Sequence, residues 1–243
     1  MRLAIMSDIH GNLTALEAVL AGIAARGPFD ALGVAGDICE WGPQPAAALA
    51  RVRGLGCPVV QGNTDRNVVT TDEAWLRAIG KSDNSIKGLA WTRAQIGVAG
   101  ADYLAGLPFA HTYHGPNGQD VLMVHANPRD MDTHLDPDAS EDEVRALLGD
   151  TTAAVVVFGH LHTPYVRRVA GRLLVDVSSV GYPRDGDRRA AYAILTWDGH
   201  DGWQATIERV PYDLEAAAAA FHASGMPRAE KRVAQLYRAS YEK

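Results

Sequence analysis

The sequence predicts an α/β fold, and two features in the order of its apolar segments support this prediction. Three short apolar runs in the first 65 residues each break into a polar loop, and helical patterns follow. Cycles of strand, loop and helix are typical of parallel strands that lie side by side. The second half is richer in strands, and short turns separate several of them, which favours antiparallel hairpins.

The first cycle covers residues 2–28. Residues 2–7 form a short apolar run that ends at Asp8, a pattern typical of a buried strand that leads into a loop. Apolar side chains at helical spacing then predict a helix, and Gly27-Pro28 ends it. The apolar residues of this helix are Leu13, Leu16, Val19, Leu20 and Ile23.

The second and third cycles repeat this order. Residues 31–35 are apolar and break into Gly36-Asp37, and an Ala-rich helix is predicted from about residue 44 to 53. Residues 58–60 predict a third strand, which breaks into a Gly-Asn-Thr-Asp loop over 62–65. Residues 66–87 are polar, so we expect an excursion over the surface that could form a lid. A helical stretch is predicted over 88–107, and it returns the chain from this excursion to the body of the domain.

Strands dominate the segment after residue 108, and helices are expected over 212–241. Because no composition break or long linker marks a boundary, we predict one domain over 1–243. The predicted strands cover 109–113, 121–125, 153–158, 165–169, 172–177, 190–197 and 204–210.

Length and charge limit the classes of partner. The chain has 243 residues, 47% of them hydrophobic, so it can bury a sizeable core without a disulfide framework. A formal net charge of -6 leaves no basic platform for a nucleic acid or an anionic membrane. No apolar window is long enough for a membrane span. We therefore expect a cytoplasmic protein with its two cysteines reduced. The sequence leaves the oligomeric state open, and a homo-oligomer is one alternative.

Polar residues follow five of the predicted strands directly. The carboxyl ends of strands in an open α/β sheet face one crevice, so these loops can converge on a site with oxygen and imidazole ligands. Taken singly, Asp8 also fits a turn or capping carboxylate, Asn63 and Asp65 fit turn formers, and the histidines fit hydrogen-bonded strand-end or loop residues. The motifs are Asp8-Ile-His10-Gly-Asn12, Gly36-Asp37, Gly62-Asn63, His125-Ala-Asn127 and Gly159-His160-Leu-His162.

In this order, the motifs resemble those of the calcineurin-like metallophosphoesterases: D-x-H, G-D, G-N-H, a lone His and G-H-x-H. The chain looks most like the small prokaryotic branch that begins D-I-H-G-N. It shares that start over 8–12, the Gly42-Pro43-x-Pro45 loop and the late segment 179–184. The resemblance extends to about residue 195.

This resemblance implies two mixed β-sheets flanked by helices, with two metal ions at the carboxyl ends of the strands. Asp8, His10 and His162 would hold one ion, Asn63, His125 and His160 the other, and Asp37 would bridge both. Manganese is the favoured metal, with iron, nickel or zinc as alternatives. The implied reaction is hydrolysis of a small phosphodiester or phosphomonoester by a metal-bridging hydroxide, with Asp37, Asn63, Thr64 and His125 as catalytic residues.

Thr64 departs from the family pattern, which has histidine at this position to assist the leaving group. A threonine hydroxyl does not titrate near neutral pH, so we expect weaker assistance, or assistance from another residue such as His134. Arg129 and Arg184 are the candidate phosphate contacts, because guanidinium matches phosphate oxygens. A solvated or ion-paired role fits either arginine equally well.

Two alternatives to this function stay open. One is a protein phosphatase or a dinucleoside polyphosphate hydrolase of the same superfamily, although the loop after Gly36-Asp37 lacks the Asp-Arg-Gly continuation of those branches. The other is a catalytically weak metal-binding scaffold. The presence of all seven expected ligand residues favours an active enzyme.

Overall fold

Nine strands form two β-sheets in the part of the chain that the structure describes. The computed structural model describes residues 1–200 and 202–241, so residues 201, 242 and 243 of the domain predicted over 1–243 lie outside the described residues. The strands are β1 Arg2–Met6, β2 Ala31–Val34, β3 Ala110–Tyr113, β4 Val121–Val124, β5 Val155–Phe158, β6 Tyr165–Val169, β7 Arg172–Asp176, β8 Ala190–Trp197 and β9 Trp203–Val210.

Both sheets are mixed. The first has the order β2-β1-β8-β9, in which β1 pairs in parallel with β2 and antiparallel with β8. The second has the order β3-β4-β5-β7-β6, in which β5 pairs in parallel with both β4 and β7. The predicted α/β fold with two mixed sheets is therefore confirmed.

Helices cover the outer faces of the sheets. Helix α1 lies on β8 and β9 of the first sheet, and α6 packs on the second sheet. Within the described residues, no helix is both long and apolar enough to cross a membrane. The helices are α1 Leu13–Arg26, α2 Pro45–Arg53, α3 Asn63–Val69, α4 Glu73–Ala78, α5 Asp83–Ala105, α6 Glu141–Leu148, α7 Leu214–Ala223 and α8 Ala229–Arg238.

The two-residue period of the strands explains why their apolar runs are continuous. In β1, Leu3 and Ile5 face the core between the sheets, whereas Ala4 and Met6 face the helices outside. Strand β5 alternates in the same way, with Val155 and Val157 on the inner side and the other two residues beneath α6. Strands that are buried on both faces have apolar side chains at every position, so each apolar run continues to the polar loop at the end of the strand.

Two local predictions differ from the structure. The third strand, expected over 58–60, forms a single parallel bridge between Val34 and Val59, because Pro58 has no N–H to extend the ladder. The polar segment 66–87 contains the end of α3, all of α4 and the start of α5. It is anchored by buried Val68, Leu76 and Ile86. Its role as a lid stays a prediction.

Candidate metal centre

The polar loops after β1, β2, β4 and β5 meet where the strand ends of the two sheets converge. The backbone N–H of His160 donates to Asp8 Oδ2 at 2.9 Å, which ties the loop after β5 to the loop after β1. His125 Nδ1–H donates to Ala35 O at 2.8 Å and connects the second sheet to the end of β2. Side chains as far apart in the sequence as those of Asp8 and His162 therefore share one site.

The first cluster consists of Asp8, His10 and His162. Asp8 Oδ1 lies 3.1 Å from His162 Nε2 and 3.5 Å from His10 Nε2, and the two Nε2 atoms lie 3.2 Å apart. All three residues are buried. Asp8 Oδ1 has no conventional hydrogen-bond partner among the described residues. These three side chains could hold a metal ion.

The tautomers of the two histidines show why this cluster suits a cation. His10 Nδ1 lies 2.8 Å from Glu40 O, and His162 Nδ1 lies 2.6 Å from Tyr182 O. A carbonyl oxygen only accepts, so both Nδ1 atoms carry a proton, and in its neutral form each ring directs its Nε2 lone pair toward the other ring. Two lone pairs and a carboxylate oxygen at this separation repel one another unless a positive charge lies between them.

The second cluster consists of Asn63, His125 and His160. His125 Nε2 lies 3.0 Å from Asn63 Oδ1 and 3.2 Å from His160 Nδ1. His160 Nε2–H donates to Asp132 O at 2.9 Å, so the lone pair of its Nδ1 faces the cluster. When His125 is neutral with its proton on Nδ1, acceptor atoms converge here too, and the same argument applies. The buried side chains of Asp8, Asp37 and His125 also lie close enough together to hold a metal ion.

Asp37 lies between the clusters and presents one carboxylate oxygen to each. Its Oδ2 is 3.7 Å from His10 Nε2, and its Oδ1 is 3.5 Å from His125 Nε2. The backbone N–H of Thr64 donates to Oδ1 at 2.9 Å and fixes the carboxylate. With one oxygen toward each cluster, this carboxylate could bind an ion in both clusters at once, as a bridging ligand does.

Comparison with known proteins identifies the family. The domain of the calcineurin-like phosphoesterase superfamily matches residues 1–200, which include the residues of both clusters. The chain belongs to this superfamily. It is a metal-dependent hydrolase of phosphate esters, and its two clusters supply candidate ligands for the divalent metal ions that this family uses.

Relatives of this phosphoesterase cover nearly its whole length. An uncharacterised protein of Methanocaldococcus jannaschii is 31% identical over 233 residues, which are 88% of this chain and 89% of the relative. The crystal structure of a metallophosphoesterase from Sphaerobacter thermophilus is 28% identical, with a TM-score of 0.75 and coverage of 98% of this chain and 100% of that chain. A hypothetical protein from Pyrococcus horikoshii shares the fold at 18% identity, with a TM-score of 0.85 and 99% of each chain covered.

The backbone of this phosphoesterase is strained at the ligand positions. Five of the seven candidate ligands have positive φ angles, between 49° and 73°, in the left-handed region that side chains rarely adopt. Such conformations cost on the order of 1 kcal/mol each and persist where the surrounding structure enforces them. Their concentration at strand ends indicates that the loops are shaped for the site. The five residues are Asp8, His10, Asp37, His160 and His162.

Burial and neighbouring charges keep Asp8, His10 and His160 in the protonation states that metal binding needs. Burial lowers the pKa of His160 to about 4 and lowers that of His10 as well, so both rings are neutral near pH 7. Burial alone would raise the pKa of Asp8, but His162 and His10 outweigh it and hold the pKa well below its usual value. Burial disfavours the charged form of His125, yet Asp37 and Asp8 raise its pKa, because this position attracts a positive charge.

A cavity of about 150 Å³ opens beside the two clusters. Thr64 lines this cavity, but the Thr64 hydroxyl is buried and has no hydrogen-bond partner among the described residues. His134, named from the sequence as a substitute for the missing family histidine, lines the same cavity and contacts the ring of His160 edge-on at 4.8 Å. Arg184, Trp41 and Tyr241 complete the opposite wall.

Arg129 does not line this cavity, so its predicted contact with phosphate is not supported. Its Nε–H donates to Ala146 O at 3.3 Å, and its guanidinium lies beside Gly149 at the end of α6. The reason is the turn at Asn127, whose side-chain oxygen accepts the N–H of Arg129 at 2.7 Å and directs the chain toward that helix. Arg184 alone of the two predicted arginines reaches the cavity.

Two features of the site were missed in the sequence. Asp65, read there as a turn former, is fully buried, and its carboxylate joins the metal loops after β2 and before α3. Tyr241 lies far along the chain from every motif and still lines the cavity. The spacing of Asp65 within Gly62-Asn-Thr-Asp65 at a helix start was a usable signal, because an acidic residue in the first turn can cap a helix. No local signal marked Tyr241.

Proposed function

We propose that this phosphoesterase binds two divalent ions and hydrolyses small phosphodiesters or phosphomonoesters. Asp8, His10 and His162 would hold one ion, Asn63, His125 and His160 the other, and Asp37 would bridge them. The convergence of imidazole nitrogen and ligand oxygen atoms in each cluster supports this assignment most directly. A cation in each cluster would remove the repulsion between these atoms.

Manganese is the metal we expect, with iron, nickel or zinc as alternatives. The ligands are imidazole nitrogen and carboxylate or amide oxygen, a set that these ions accept. Thiolate is excluded as a ligand here, because Cys39 lies in the apolar core on the helix side of the first sheet and Cys57 packs against that core. Binding to neutral histidines also implies that affinity falls as pH drops and protons compete.

The residues around the cavity would bind and orient the phosphoryl group. When bound, two divalent ions supply charge compensation for phosphate oxygens and acidify water. Arg184 would donate to a phosphate oxygen, because its guanidinium lines the cavity and its ring contacts leave its N–H donors available. His134, which lines the cavity, would protonate the leaving oxygen, since Thr64 has no group that titrates near neutral pH.

The size and charge of the site favour compact esters. A cavity of about 150 Å³ suits one phosphoryl group rather than a long polymer. The net charge of -6 would repel extended polyanions outside the site, whereas bound cations would make the site itself attractive to a single phosphate. We expect this enzyme to act in the cytoplasm on a small phosphate ester. Size-exclusion chromatography would determine whether it forms homo-oligomers.

Turnover of two model esters tests this proposal. Manganese-loaded protein should hydrolyse bis-p-nitrophenyl phosphate, p-nitrophenyl phosphate or both. Asp37→Asn should lower kcat by at least about a hundredfold, since one charge and one ligand oxygen are lost. Asp138→Asn, which changes an exposed carboxylate outside the cavity, is the matched control and should leave kcat unchanged. Metal-loaded protein that is inert on every ester would instead support the scaffold alternative.

A further inference from the structure

Tyr241 lies beside the metal clusters although it is outside the family match. The superfamily domain ends at residue 200, whereas Tyr241 follows α8 and lines the same cavity as Asn63 and His160. Its side chain is 46% exposed, so it forms part of the rim of the cavity rather than its floor. A residue in this position can contact a bound ester without touching the metal ions.

Three contacts of the backbone and side chain hold Tyr241 in place. Its hydroxyl donates to Leu161 O, in the loop between the candidate ligands His160 and His162. The residue before it, Ser240, forms an antiparallel bridge with Asp185. The N–H of Gly186 donates to Ala239 O at 2.7 Å. The segment 239–241 is therefore attached to both loops that border this side of the cavity.

The ring of Tyr241 forms one side of an aromatic and cationic wall. The guanidinium carbon of Arg184 lies 4.7 Å from the centre of the Tyr241 ring and 5.6 Å from that of Trp41. Trp41 is already engaged, because it stacks on His10 at 4.5 Å with an interplanar angle of 16°. Arg184 also contacts the Tyr241 ring, but Tyr241 is 46% exposed at the rim, so it is the aromatic residue of this wall with free surface that can meet a ligand.

We propose that Tyr241 is a specificity-determining residue that favours phosphate esters with a planar aromatic organic group. This inference rests on the proposed function, because a phosphoryl group at the metal clusters fills a small cavity and leaves the organic group at the rim. There a flat ring can stack on the tyrosine ring and on the plane of the Arg184 guanidinium. A small alkyl group gains little from either surface.

Binding of two phosphonates, which the enzyme does not hydrolyse, tests the inference without turnover. Isothermal titration calorimetry with manganese-loaded protein would compare phenylphosphonate with methylphosphonate. Tyr241→Leu should lower the affinity for phenylphosphonate by roughly three- to tenfold and leave methylphosphonate within about twofold. Tyr241→Phe retains the ring and should retain the preference. Tyr237→Leu, on α8 but outside the cavity, is the matched control.

The outcomes separate this inference from the proposed function. An equal loss of affinity for both phosphonates in Tyr241→Leu would overturn this inference, because the tyrosine would then act on the phosphoryl site as a whole. Unchanged affinities would also overturn it, and in both cases wild-type binding and turnover would leave the proposed function intact. If neither phosphonate binds the metal-loaded wild type and no ester is hydrolysed, the proposed function itself is wrong, and this inference fails with it.

Discussion

Replacing Asp65 with alanine should destabilise the protein through the backbone of the metal loops. The buried Asp65 carboxylate accepts the N–H groups of Asp37, Ile38 and Gly62 at 2.8, 2.9 and 3.0 Å. Alanine leaves three buried donors unpaired, at about 1–3 kcal/mol each, which gives roughly 3–9 kcal/mol. Burial, followed by the charge of Asp37, raises the pKa of Asp65 to about 7. Removing this carboxylate therefore also removes the free-energy cost of burying its charge beside Asp37. We therefore expect the lower end, about 3 kcal/mol.

Urea denaturation followed by circular dichroism, in the presence of a chelator, would measure this loss without a contribution from bound metal. Asp72→Ala is the control, since it removes a carboxylate that caps the exposed start of α4 and should cost about 1 kcal/mol. Asp65→Asn keeps one acceptor oxygen and should fall between the two variants. A loss for Asp65→Ala no larger than that of the control would refute the argument that Asp65 holds the two loops together.

Three further predictions concern the loops and the cavity. Gly42→Ala should abolish metal binding or soluble expression, because a Cβ there would lie 1.7 Å from the backbone oxygen of His10. Gly88→Ala is the control, because Gly88 lies on a helix with open space around its Cα. This variant should stabilise the fold by about 0.5–1 kcal/mol in urea denaturation. His134→Ala should steepen the dependence of kcat on leaving-group pKa across a series of aryl phosphates, whereas an unchanged slope would remove His134 from leaving-group protonation. Arg184→Met should lower kcat/KM by at least about tenfold through a lost charged hydrogen bond, and an unchanged value would contradict the phosphate contact.

The sequence was sufficient for most of the strands and for the convergence of the polar loops, because both depend on local patterns. An apolar run that ends at a carboxylate or histidine defines where a buried strand stops, and parallel strands bring such ends together. Asp8, Asp37, His125 and His160 converge in the structure for this reason. The family resemblance supplied the division into two clusters, which no spacing within this chain could provide.

The parts that were missed depend on contacts between distant segments. Arg129 follows a candidate ligand closely in sequence, but a turn two residues earlier directs it to α6. Helix α6 itself was overlooked despite its capping box, in which Ser140 and Glu143 accept each other's backbone N–H. Tyr241 reaches the cavity only through tertiary contacts, so no periodicity or motif could have indicated it.

Metal stoichiometry tests the central claim most directly. Elemental analysis of protein saturated with manganese and freed of excess ion should give about two ions per chain. His162→Ala and His125→Ala each remove a ligand from one cluster only, so each variant should retain about one ion. A wild-type value of one ion per chain or fewer would contradict the assignment of two metal ions to these clusters.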